Sequence, residues 1–149
     1  MSMDRSFVEL NRAATDRIRA LAERLSDEEL QHPVGEYWTV AIALAHIAFW
    51  DRRALHVLEF SEREGTPTFL DLDLFVNDLS LPLWAAVPPR EAARIAIESA
   101  EALDARMEGY PPALLEQFFD AHRAFVVRAV HRNRHLDEID AALQEETTQ

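Results

Sequence analysis

The chain has 149 residues, 48% hydrophobic and 28% charged, with no cysteine and only three glycines. That composition suits one globular domain spanning residues 1–149, and it excludes disulfides, thiolate ligands, a cysteine nucleophile and a glycine-rich phosphate loop. Acidic residues outnumber basic ones 27 to 15, all of the latter arginine, so the net charge of −12 provides no basic footprint for nucleic acid or an anionic membrane.

Met1–Leu10 mixes Asp4, Arg5 and Glu9 with its apolar residues, unlike a signal peptide. The longest apolar run, Val40 to Trp50, spans about half of what a bilayer requires. The expected location is therefore the cytoplasm. Phe7, Leu10, Ala14, Ile18, Leu21 and Leu25 recur at helical spacing and predict a first amphipathic helix, with Asp4 or Ser6 at its start. Ser26 begins a short capped turn that ends by Pro33-Val34-Gly35.

Thr39 is placed to cap a second helix from Val40 to about Glu62, closed by Gly65-Thr66-Pro67. Its first half is apolar nearly all round, which predicts the most buried helix of the fold. From Phe69 to Leu83 the pattern is ambiguous and is taken as a short helix followed by an irregular run to Pro88-Pro89. Isolated strand pairing there would have no partner. A third long helix runs from Arg90 to about Glu108, and a fourth from about Ala113 to Glu145, with Phe118, Phe125, Ala129, Leu136 and Leu143 on one stripe. The tail from Glu145 to Gln149 reads as frayed. Long helices joined by Pro- and Gly-marked loops predict an all-α, four-helix bundle with one irregular middle segment.

Two of the six histidines, His131 and His135, are four residues apart in the fourth helix. That spacing projects both imidazoles from one side, roughly 6 Å apart at Cβ. Two ring nitrogens so placed reach one divalent ion at about 2.0–2.1 Å, and His46, in the most apolar helix, would complete a three-histidine site with one open position. The competing reading makes the pair a solvated face, which the intervening Arg132, Asn133 and Arg134 suit, and makes His46 a hydrogen-bonded core residue. His56 and His122 lie at helical spacings that exclude them from the same ion, and His32 sits beside Pro33 in a turn.

The segment from Trp38 through His46 to Trp50-Asp51 resembles the second-helix motif of the DinB-like (YfiT-like) metalloenzyme superfamily, W-[ST]-x6-H-[LI]-x-x-W-[DE]. His131-Arg-Asn-Arg-His135-Leu-Asp-Glu-Ile139 resembles the same group's last-helix signature, H-x3-H-L-x-[ED]-I. The resemblance implies a four-helix bundle that holds a divalent ion, most often zinc or nickel, on His46, His131 and His135. It further implies a relationship to enzymes that use a low-molecular-weight thiol, including the mycothiol-dependent maleylpyruvate isomerases.

Trp50, one turn after His46, is a candidate wall of a substrate pocket. Asp51 is a candidate for the same pocket, although an ion pair with a nearby arginine is the favoured role for its carboxylate. Trp38 is expected to staple the start of the second helix. Asn77 and Trp84 fall in the irregular segment, and the sequence gives no direction to their side chains. The leading expectation is a metal-dependent thiol transferase or hydrolase acting on a small molecule. The alternative is a non-catalytic helical metal-binding or interaction protein that forms a homodimer.

Overall fold

A computed structural model describes residues 4–147 of the chain. Met1–Met3 and the last two residues of the expected frayed tail lie outside the described residues. Helix α1 (Ser6–Arg24) buries Phe7, Ala14, Ile18 and Leu21 along one face. At its start the Ser6 amide donates to Asp4 Oδ1 at 3.0 Å. Ser26 and Glu29 then cap each other reciprocally: the Glu29 amide donates to Ser26 Oγ at 3.1 Å and the Ser26 amide to Glu29 Oε1 at 3.0 Å. This capping box opens a 3-10 turn over Glu29–Gln31. A small hairpin that no local periodicity foretells follows, in which β1 (Pro33–Val34) pairs antiparallel with β2 (Trp38–Thr39). Gly35 makes the reversal at φ 72°, a region favoured by glycine.

The Ile42 amide donates to Thr39 Oγ1 at 3.2 Å, and this cap starts helix α2 (Val40–Glu64), which ends on Gly65 at φ 78°. In the middle segment the expected order is reversed. Irregular chain comes first, and the helix α3 (Phe75–Ala85) follows it. Asp73 explains the late start, because its Oδ1 accepts the Phe75 amide at 3.1 Å. Phe69 meanwhile leaves helical spacing to pack 5.3 Å, ring centre to ring centre, from both Phe118 and Phe125. Helix α4 (Pro89–Glu108) carries Pro89 in its first turn, as expected.

The single fourth helix read from Ala113 to Glu145 is a correction. It is three pieces, α5 (Pro112–Ala121), α6 (Arg123–Val126) and α7 (Ala129–Thr147). No proline or glycine marks the breaks. His122 at φ −158°, ψ 88° and Val127 at φ −85°, ψ 78° leave helical geometry, and the buried Asn11 of α1 takes up backbone groups freed beside the second break. Its Nδ2 donates to the Val126 carbonyl at 2.9 Å, and its Oδ1 accepts the Ala129 amide at 2.9 Å. A tertiary partner 115 residues away permits a break that local spacing conceals.

Helices α1 and α2 each pack against both α4 and α7, so α1 and α2 occupy opposite corners of the bundle. The fully buried Arg132 of α7 reaches all three neighbours. It donates to Asp51 on α2 at 2.8 Å, to Asp104 on α4 at 2.9 Å, and to Asn11 O and Thr15 Oγ1 on α1 at 3.1 Å each. The reading of Arg132 as part of a solvated face is therefore overturned. Burial pushes the Asp104 carboxyl upward against the pull of Arg132. Among the described residues no helix is long and apolar enough to cross a membrane.

Candidate metal centre

Because α2 and α7 are adjacent, they bring together residues 85 positions apart. His46 Nε2 and His131 Nε2 lie 3.2 Å from each other. The His135 ring centre is 4.5 Å from that of His46 and 4.7 Å from that of His131. One ring nitrogen from each of the three lies within 4.8 Å of the others. Two nitrogens bound tetrahedrally to one ion at 2.0–2.1 Å stand about 3.3 Å apart, so the His46–His131 separation fits shared ligation.

The electrostatics also fit. His46 is 3% exposed and His135 7%. The Nδ1 atoms of all three histidines, and Nε2 of His135, are buried without a hydrogen-bond partner. Burial, aided by the nearby His135, pushes the His46 imidazole down to about 3. Burial and the neighbouring Arg128 push His131 down to about 2, and burial also lowers His135. All three rings are therefore neutral near pH 7 and present lone pairs, the protonation state a metal needs. Orphaned buried ring nitrogens carry an energetic penalty in a metal-free core. A cluster of neutral imidazoles without cysteine suits a divalent ion of borderline softness.

Three further residues complete the surroundings. Glu138 Oε2 lies 3.4 Å from His135 Nδ1, where a carboxylate can hold the ring so that its other nitrogen faces inward. Its position three residues after His135 is the signal from which it could have been found. Trp38 stands 4.7 Å from the His46 ring and 5.7 Å from His135, and Trp84 stands 5.3 Å from His46 with its ring plane nearly perpendicular. Both indoles thus wall the cluster, where the sequence suggested only a staple for Trp38 and no role for Trp84. Their place in the fold, a hairpin and a short helix, is set by tertiary packing and leaves no periodic signal.

Trp50 lies 6.3 Å from His46 and donates its indole N–H to Asn77 Oδ1 at 3.0 Å. It also lines a cavity of about 480 Å3 that reaches His131 between Phe69, Phe125 and Arg128. Asp51 does not face this cavity. It is fully buried, its Oδ1 accepting from Arg128 at 3.0 Å and its Oδ2 from Arg132 at 2.8 Å. The ion pair favoured for Asp51 is present, and the pocket placement is corrected. On the other side, His135, Trp38 and Glu138 border a second cleft of about 570 Å3. His32 lies 3.2 Å from the Ala142 carbonyl, and neither it nor His56 nor His122 joins the cluster.

Residues 11–139 match the family model described as mycothiol maleylpyruvate isomerase N-terminal domain. No match is found among curated proteins or solved structures.

Proposed function

The chain belongs to the mycothiol maleylpyruvate isomerase N-terminal domain family, within the DinB-like helical superfamily, and on that premise we propose that it is a cytoplasmic metal-dependent enzyme in which His46, His131 and His135 hold zinc or nickel. The reaction is the transfer of a low-molecular-weight thiol to a small electrophile, with hydrolysis of a small molecule as the other chemistry open to the same centre. The observation that carries this reading is the convergence of three neutral imidazoles from two helices, two of them buried and His131 partly so, with four of their six ring nitrogens lacking any hydrogen-bond partner.

A divalent ion on such a site supplies Lewis acidity that lowers the pKa of a bound thiol or water toward neutrality. The protein's own groups account for the rest. His46, His131 and His135 offer neutral donors in a fixed arrangement, and Glu138, 3.4 Å from His135 Nδ1, stands where it can orient that ring once the other nitrogen is engaged. Trp38 and Trp84 keep bulk water from one flank, which strengthens electrostatic interactions within the site. Asp51 ties α2 to α7 through Arg132, which immediately follows His131, so the histidines of the two helices are held in register.

Elemental analysis of the purified chain beside a His131→Ala/His135→Ala double variant tests the centre. About one equivalent of zinc or nickel in the wild type and none in the variant is the expected result. Absence of metal from wild type purified without chelators would sink it.

A second reading has its own observation. Leu74, Phe75, Leu79 and Leu83 are 75%, 61%, 63% and 72% exposed along α3 and its approach. Apolar residues left in water at one place favour a helical interaction protein that covers them in a homodimer. Sedimentation equilibrium tests the covered face and a thiol-transfer assay on the metal-loaded chain tests the enzyme: a dimer without turnover supports the second reading, and turnover supports the first.

A further inference from the structure

The chain carries a net charge of −12, yet the cavity beside His131 inverts that balance. Its wall holds three guanidinium groups, those of Arg53, Arg128 and Arg134, against one carboxylate, Asp71. The core network does not neutralise them all. Asp51 and Asp104 are engaged with Arg128 and Arg132, two carboxylates for two guanidinium groups. Among the described residues neither Arg53 nor Arg134 forms an ion pair. Arg53 is the more constrained of the two. One of its terminal nitrogens donates to the Leu70 carbonyl at 2.8 Å, and its guanidinium lies 5.8 Å from the Trp50 ring centre. Its Nε is buried with no partner at all. Burial and the nearby Arg128 work against the Arg53 charge, and Asp71 offsets them only in part.

An arginine near a second arginine, half out of water and with an unused N–H, is a group poised for an anion. Guanidinium groups grip carboxylates and phosphates with strong, oriented hydrogen bonds. Trp50, Phe69 and Phe125 supply apolar wall for the remainder of a small molecule, and the cavity volume of about 480 Å3 lies in the range of small-ligand sites. We propose that the cavity beside His131 binds a small molecule through an oxyanion held by Arg53, with Arg134 at the mouth, and so presents its body to the histidine centre. The assignment rests on the proposed reactive centre for its purpose, but the binding itself does not require a metal.

Calorimetric titration of the full chain, zinc-loaded and chelator-treated, tests this with benzoate, its neutral counterpart benzamide, and inorganic phosphate. The expected result is an anion bound about tenfold or more tightly than benzamide in both forms, since one charge-assisted bond is worth about that factor. The tighter of benzoate and phosphate identifies the oxyanion as carboxylate or phosphate. Arg53→Gln is expected to remove the preference and to leave benzamide affinity and zinc content unchanged. Arg134→Gln, at an exposed position, lowers anion affinity a few-fold and carries the test if R53Q does not fold. Equal binding of benzoate and benzamide with no phosphate binding, or anion affinity unchanged in R53Q and R134Q, overturns the proposal. An anion preference confined to the zinc-loaded form and insensitive to both variants also overturns it, because the anion then sits on the metal. Preference retained in a chain that takes up no zinc leaves the anion site standing and removes the metal reading.

Discussion

Arg132 Nε donates to Asp51 Oδ2 at 2.8 Å, joining a residue five positions after His46 to the residue directly after His131. Both side chains are fully buried. Removing Asp51 leaves Arg128 and Arg132 without a carboxylate that both of them use. Breaking one partner of a buried ion pair costs about 3–5 kcal/mol, because the remaining charge is uncompensated. For a chain of this length the melting temperature should fall by about 10 °C or more in Asp51→Ala. Thermal denaturation followed by circular dichroism measures it, and a shift below about 2 °C would show that the network is not closed as described.

Asn11 bridges the break between α6 and α7, with one side-chain amide meeting both Val126 O and the Ala129 amide. Asn11→Ala leaves a buried acceptor and a buried donor unpaired, each costing about 1–3 kcal/mol. Urea unfolding should show a loss of about 2 kcal/mol or more with an unchanged m-value, and hydrogen exchange at Ala129 should accelerate. Unchanged exchange there would separate the break from its cap.

The metal-free chain should lose stability as pH falls. In the unfolded state the histidines titrate near 6.5, whereas in the folded state burial holds His46 down to about 3 and His131 to about 2. Between these limits the unfolded chain binds protons that the folded chain refuses, so the free energy of unfolding decreases with decreasing pH. The loss should begin near pH 6.5 and continue down toward pH 3. Replacing His131 by Ala should flatten that slope. A slope unaffected by the replacement would assign the acid sensitivity to carboxylates alone.

Glu138 Oε2 lies 3.4 Å from His135 Nδ1 while itself half exposed, so it is placed to orient that ring on metal binding without belonging to the core. Glu138→Gln should preserve folding but weaken zinc affinity about 10-fold, the low end of what such partners contribute. Competition titration against a chromophoric chelator reads the difference. Affinity equal to wild type would make the contact incidental.

Much of this architecture was legible because it is written in short-range patterns. The Thr39 cap, the Gly65 stop and the Pro89 start each depend on residues within one turn. The three histidines were legible for a similar reason: a four-residue repeat, a polar residue in an apolar helix, and two motifs that resemble a known group. What was not legible depends on partners far away in sequence. Asn11 allows α6 and α7 to part without a proline or glycine, so the apolar stripe reads straight through the break. Arg132 looks like a surface residue until Asp51, Asp104 and Thr15 surround it. Trp38 and Trp84 reach the centre only through a hairpin and a short helix whose placement no local periodicity encodes.

His46 separates a site built for a ligand from a site built for stability. Its ring is 3% exposed and its Nδ1 has no partner, so in the metal-free chain it is a polar group buried at a loss. His46→Leu replaces it with an apolar side chain of similar size, which should leave the metal-free melting temperature unchanged or raise it. The same variant should lose the metal response. Zinc at about 100 times its dissociation constant stabilises a one-site protein by about 2.7 kcal/mol, and H46L should show almost none of that rise. If H46L instead melts well below wild type without zinc and still gains stability with it, His46 is a packing residue and the ion lies elsewhere.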